Sequence, residues 1–116
     1  MSITRYEPGK RFAQAVRHND TLYIAGQVAD AFTASVEEQT REVLGKIDAL
    51  LAGAGADKSK LLSMNVYLSN IADFDAMNAA FDAWADTANL PTRATIEARL
   101  ADPNLRVEIT AIAALD

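Results

Sequence analysis

The sequence predicts an α+β fold: one mixed sheet with element order ββαβαββ and two helices packed on one of its faces. Two stretches place apolar residues at helical spacing, and the segments flanking them are patterned as strands. Turn-forming pairs and triplets separate these elements. The chain has 116 residues, half of them apolar and 23% charged, a globular balance. One domain spanning 1–116 is expected, burying about two-thirds of its unfolded surface.

Ala13–Arg17 is the first predicted strand. Asn19-Asp20 follows and tolerates the left-handed backbone that a tight hairpin needs. Thr21–Gly26 is the second strand, apolar almost throughout. From Val36 the period changes, and Val43, Leu44, Ile47, Leu50 and Leu51 fall on one helical stripe. Ser35 with Glu38 fits a capping box at its start. Gly53-Ala54-Gly55-Ala56 reads as its terminator. Leu62, Met64, Val66 and Leu68 then alternate with polar residues, as in a half-buried strand. Asp73 is placed to cap a second helix running to about Ala85, with Phe74, Met77, Phe81 and Trp84 inward. Thr92–Leu100 and Arg106–Ala114 are the last strands, separated by the turn Asp102-Pro103-Asn104.

Right-handed crossovers put both helices on the same face. A hairpin pairing Leu100 with Leu105 would align Ala94, Ile96 and Ala98 with Val107, Ile109 and Ala111 under the helices. Arg93, Thr95, Glu97, Arg99, Arg106, Glu108 and Thr110 would then share the opposite face, uncovered by the chain itself and available to a partner subunit or a ligand. That register sets Arg93 opposite Ile112, roughly 13 Å along the strand from Glu108 at about 3.3 Å per residue.

Composition removes much chemistry. With no cysteine and one histidine, thiolate metal sites, Cys nucleophiles and disulfides are excluded, and His-based metal sites and Ser-His triads are disfavoured. A net charge of −5 disfavours nucleic acid as a partner, since phosphate recognition needs clustered Lys and Arg. No stretch approaches the ~18 apolar residues of a membrane span, and Met1–Arg11 has no apolar signal segment. A cytoplasmic protein is expected.

Carboxylates, arginines and backbone remain. Arg93, just after Pro91-Thr92 at a strand entrance, is placed to hold a carboxylate through two parallel hydrogen bonds; the alternative is an exposed strand arginine paired with a neighbouring acid. Glu108 stands between Val107 and Ile109. Partial burial raises a carboxyl pKa and suits it to activating water; the alternative is a surface acid beside Arg106. Asn78 interrupts the inward face of the second helix, so its amide either ties down the fold or faces a pocket. Gly26 ends an apolar strand, where backbone can approach a ligand closely. His18 reads as a solvated turn residue, and Arg41 and Lys46 as solvated helix positions.

Seven segments occur in one order from about Phe12 to Ala113. They are Gln14-Ala15-Val16, Tyr23-Ile24-Ala25-Gly26-Gln27, Glu38-Gln39-Thr40, Asn65-Val66-Tyr67-Leu68, Asp73-Phe74 with Met77-Asn78, Pro91-Thr92-Arg93-Ala94-Thr95, and Val107-Glu108-Ile109. Through them the chain resembles the reactive intermediate deaminase family. The resemblance implies a chorismate-mutase-like subunit in a homotrimer, with ligand clefts between subunits. It also implies cofactor-independent hydrolysis of enamines and imines, such as 2-aminoacrylate and related 2-imino acids, to 2-oxo acids and ammonia. The family's substrate-binding arginine falls on Arg93 and its water-positioning glutamate on Glu108. Gly26, Ala25, Asn78, Phe12 and Thr95 fall at cleft positions.

The chain departs from the family pattern at three places. Arg11-Phe12-Ala13 stands where many members read Pro-Tyr-Ser, Ala25 where a serine is frequent, and Thr95 where a cysteine is common. Loss of the hydroxyls at Phe12 and Ala25 motivates a second reading, a non-catalytic module that binds a 2-oxo or amino acid. An RNA-cleaving role, attached to some relatives, is opposed by the acidic charge.

Overall fold

A computed structural model describes residues 2–116. Its elements are β1 (Ile3–Pro8), β2 (Ala13–His18), β3 (Thr21–Val28), α1 (Val36–Gly53), β4 (Leu61–Leu68), α2 (Phe74–Trp84), β5 (Thr92–Glu97) and β6 (Val107–Ala114), with 3-10 turns at Lys58–Lys60 and Ile71–Asp73. The strands form one mixed sheet in the order β1-β2-β3-β6-β4-β5. This is the expected α+β class with one added strand. β1 is an edge strand with little buried surface, so it carries none of the alternation by which strands are read.

Local chemistry explains the element ends. Asn19 adopts φ 56° in the β2–β3 hairpin, the left-handed conformation expected there. At the start of α1, Ser35 Oγ accepts from the Glu38 backbone N–H at 3.2 Å, and the Glu38 carboxylate accepts from Ser35 N at 3.3 Å, completing the capping box. The Ser35 hydroxyl, then its backbone N–H, hold the Glu38 carboxyl below the usual glutamate range. At the other end Gly55 takes φ +80°, while Ala56 N donates to Leu51 O at 2.8 Å and Gly55 N to Ala52 O at 3.0 Å. That pair of bonds is the Schellman stop. Ser35→Ala is expected to lower stability by about 1 kcal/mol, read from the urea midpoint. Because the Glu38 value is lowered on folding, the difference between wild type and Ser35→Ala is full at neutral pH. It shrinks as pH falls through the lowered value.

Both helices lie on one face of the sheet, as the crossovers required. Val43, Leu44, Ile47 and Leu51 of α1 and Met77 and Phe81 of α2 bury Leu22 and Ile24 of β3, Met64, Val66 and Leu68 of β4, and Val107, Ile109 and Ala111 of β6. Full burial of each large side chain contributes about 2 kcal/mol. Gln39 is also wholly buried. Its Nε2 donates to Asn104 O at 3.1 Å and Ala34 O at 3.3 Å, and its Oε1 accepts from Arg106 N at 3.0 Å. This amide ties α1 to the chain entering β6. Gln39→Leu strands those backbone groups, and a loss of about 2 kcal/mol in chemical unfolding is expected.

The expected β5–β6 hairpin does not form. β5 runs parallel to β4, with Met64 beside Arg93, Val66 beside Thr95 and Leu68 beside Glu97. β6 inserts between β3 and β4 and is antiparallel to both. β5 also ends at Glu97 rather than Leu100, and residues 98–106 carry the chain over β4 to the sheet centre. The α2 crossover makes β5 the parallel neighbour of β4, and the apolar β6 gains more burial at the centre than at an edge.

This pairing reverses the faces assigned to β5. Arg93 and Thr95 share the helix side with Met64 and Val66, while Ala94 and Ile96 lie with Asn65 and Tyr67 on the open side. The open side is not the polar strip expected. It carries Tyr23 and Ile112, Asn65 and Thr110, and Tyr67 and Glu108 as cross-strand pairs. Tyr23 and Ile96 are each 48% exposed.

Asp73 stands at the N-cap position of α2, yet its side chain makes no cap bond. Its carboxylate instead accepts from Arg106 Nη2 at 3.1 Å, which removes Arg106 from the open face. Phe74 is partly exposed rather than inward. Lys46 is not simply solvated either: it donates to Val28 O at 2.7 Å and pairs with Asp30 at 3.0 Å. Among the described residues, no helix is long and apolar enough to cross a membrane.

Candidate functional site

The expected site residues fall into two groups. The first surrounds Arg93, which leaves the edge strand on the helix side and is half-buried. Its Nη1 donates to Asn78 Oδ1 at 2.8 Å and lies 3.9 Å from Met77 Sδ. The guanidinium carbon is 4.7 Å from the centre of the Phe81 ring and 5.8 Å from that of Phe74, within cation–π range. Among the described residues no acid pairs with it. Thr95, two residues on, is half-buried on the same side of β5. Helical spacing brings Phe74, Met77, Asn78 and Phe81 onto one stripe of α2 facing β5.

The second group lies where β3 meets β6. The β3–β6 register shifts between Ile24 and Gln27, so Ala25 and Gly26 occupy a bulge. Glu108, half-buried on the open side, crosses directly over Gly26: a Cβ added there would sit 2.0 Å from Glu108 Oε2 and 2.9 Å from its Cδ. Glycine at this position therefore leaves the Glu108 carboxylate its place through close approach rather than through φ. Gln27, nine-tenths buried, donates from Nε2 to Ala25 O and to Gln14 Oε1, each at 2.9 Å, and so braces the bulge. Phe12 stands apart at the β1–β2 turn, 59% exposed, with its carbonyl accepting from Gly9 N at 2.9 Å.

Within one chain the two groups do not meet. Arg93 and Asn78 are on the helix side at the sheet edge, whereas Glu108 and Gly26 are separated from them by β4 and use the open side. In the sequence Phe74, Met77 and Phe81 read as core positions, with nothing to connect them to Arg93. The i, i+3, i+4, i+7 spacing of Phe74, Met77, Asn78 and Phe81 is the feature that could have found the cluster. The buried clamp at Gln39 carried no such pattern.

Chemically, the first group is a cation surrounded by neutral groups, suited to a small carboxylate. The second is a carboxylate beside exposed strand backbone, suited to handling a proton on water or a small polar ligand.

Comparison with known proteins adds to this geometry. The family described as endoribonuclease L-PSP matches residues 2–115. A RutC family protein of Haemophilus influenzae is 44% identical over 114 residues, 97% of this chain and 98% of that protein. A crystal structure of a YjgF-family protein from Neisseria meningitidis superposes with TM-score 0.97 at 37% identity, covering 100% of this chain and 97% of that one. More distantly, the chloroplastic Reactive Intermediate Deaminase A of Arabidopsis thaliana is 27% identical over 110 residues, 90% of this chain and 58% of that protein. With the collinear segments from Gln14 to Ile109, these matches place the chain in the endoribonuclease L-PSP family, the YjgF and reactive intermediate deaminase family.

Proposed function

We propose that this protein hydrolyses reactive enamine and imine carboxylates, 2-aminoacrylate and related 2-imino acids, to 2-oxo acids and ammonia without a cofactor. The observation that carries this reading is Arg93: a half-buried guanidinium that no acid neutralises among the described residues, presented by an amide, a thioether and two aromatic rings. A small carboxylate is the ligand such a group selects, and a deaminase name borne by a distant relative agrees with an imino acid. Arg93 holds the substrate carboxylate. Glu108 takes a proton from water as the oxygen attacks the C=N carbon, while the imine nitrogen takes one from solvent. As the resulting carbinolamine collapses, Glu108 returns its proton to the leaving nitrogen, the hydroxyl proton passes to solvent as the C=O bond forms, and ammonia and a 2-oxo acid depart.

Because Arg93 and Glu108 use opposite sides of one sheet, the reading requires two chains. The sheet edge of one subunit, bearing Arg93, meets the open face of the next, bearing Gly26 and Glu108. A homotrimer with three such clefts satisfies this and covers Tyr23 and Ile96. Ala25, Asn78, Phe12 and Thr95 border the cleft. RNA is not favoured as substrate, since the open-face positions Arg5, Val16, Tyr23, Asn65, Tyr67, Ala94, Ile96, Thr110 and Ile112 include a single arginine and no basic cluster.

The test is to generate imino acids with an amino-acid oxidase and follow their capture by semicarbazide with and without the protein. Faster disappearance of the imine supports the reading. An unchanged rate across several imino acids overturns it. Micromolar binding of a 2-oxo acid without turnover would instead establish a binding module, the reading that the missing hydroxyls at Phe12 and Ala25 favour.

A further inference from the structure

Arginine carries five N–H donors, and which of them are free decides how it can meet a carboxylate. Nη1 of Arg93 is engaged within the chain: it donates to Asn78 Oδ1 at 2.8 Å and lies 3.9 Å from Met77 Sδ. Nε and Nη2 have no protein partner among the described residues. Their N–H bonds are parallel and form the side-on fork that matches two carboxylate oxygens. The Phe81 ring, 4.7 Å from the guanidinium carbon, limits movement of the group as a whole.

We propose that Asn78 is a positioning residue: by engaging Nη1 it turns the Nε–Nη2 edge of Arg93 outward as the seat of the substrate carboxylate. This rests on the reading of Arg93 as the carboxylate clamp. The side chain at 78 has to accept a hydrogen bond while remaining neutral. An aspartate would accept equally well, but its charge would compete with the substrate for the guanidinium. An alanine would release Nη1 and let the fork rotate.

The experiment measures 2-oxobutanoate binding by calorimetry, together with imine turnover, for Asn78→Ala and Asn78→Asp, each made in wild type and in Arg93→Lys. Circular dichroism and melting temperature monitor folding. In the wild-type background Asn78→Ala is expected to weaken binding about 5-fold. Asn78→Asp should weaken it about 30-fold or more, raising KM more than it lowers kcat, without lowering the melting temperature. Lysine has no fork to orient, so in the Arg93→Lys background Asn78→Ala should add less than about 2-fold. Full additivity in that background would show that Asn78 acts on the ligand directly and would overturn the proposal. So would binding to Asn78→Asp at wild-type strength. Failure of the wild-type protein to bind any of several 2-oxo acids would remove the clamp reading itself, an outcome distinct from both.

Discussion

Replacing Arg93 by alanine is expected to lower kcat/KM for imine hydrolysis by about 100-fold, equivalent to about 2.7 kcal/mol of transition-state stabilisation. The magnitude follows from losing a charge-assisted, two-point contact to a carboxylate, each such bond being worth about 1.5–3 kcal/mol. Arg93→Lys keeps the charge but not the fork, and should fall between the two. The alanine variant also removes the partner of Asn78 Oδ1 and uncovers the Phe81 ring, so a small fall in melting temperature accompanies the loss. Steady-state kinetics on an oxidase-generated imine, beside thermal unfolding, checks both parts. Activity of Arg93→Ala within threefold of wild type would show that another group holds the carboxylate.

Gly26→Ala should cost a similar factor for a different reason. The new methyl carbon would fall 2.0 Å from Glu108 Oε2, far inside contact distance, so the Glu108 carboxylate must swing away. The atoms displaced are the end of a flexible side chain rather than backbone, which makes the shift cheap for folding. It is costly for chemistry, because misplacing a catalytic group by about 1 Å costs on the order of 100-fold. The expected result is therefore an approximately 100-fold fall in kcat with a melting temperature close to wild type. Glu108→Gln should lose about as much, and the double variant little more than either alone, since both changes disable the same carboxylate. An active Gly26→Ala protein would mean that Glu108 works from some other position, or not at all.

Much of the fold was legible because its cues are local. Ser35 and Glu38 specify the start of α1 through a side-chain bond three residues long, and Gly55 specifies its end through a φ that other residues adopt at a cost. Asn19 does the same for the β2–β3 turn. The collinear segments identify the family, and residue chemistry singles out Arg93, Glu108, Gly26 and Asn78 as candidates. β1 was missed because an exposed edge strand needs no apolar alternation, and Phe74, Met77 and Phe81 read as core because burying a thioether and supporting a guanidinium draw on the same residues.

The sequence by itself determined the types of seven of the eight main elements, the placing of both helices on one face, and the family. Period-2 alternation also determined that Arg93 and Thr95 share one side of β5, and Ala94 and Ile96 the other. It could not determine which side meets the helices, because Ala94 and Ile96 suit a core as well as they suit a subunit contact. Only the tertiary structure decided that, by setting β5 parallel to β4 through the α2 crossover and inserting β6 between β3 and β4. Pairing is a long-range choice set by total burial, and a hairpin turn such as Asp102-Pro103-Asn104 carries too little energy to override it. The consequence is functional: Arg93 and Glu108, expected on one face, stand on opposite faces.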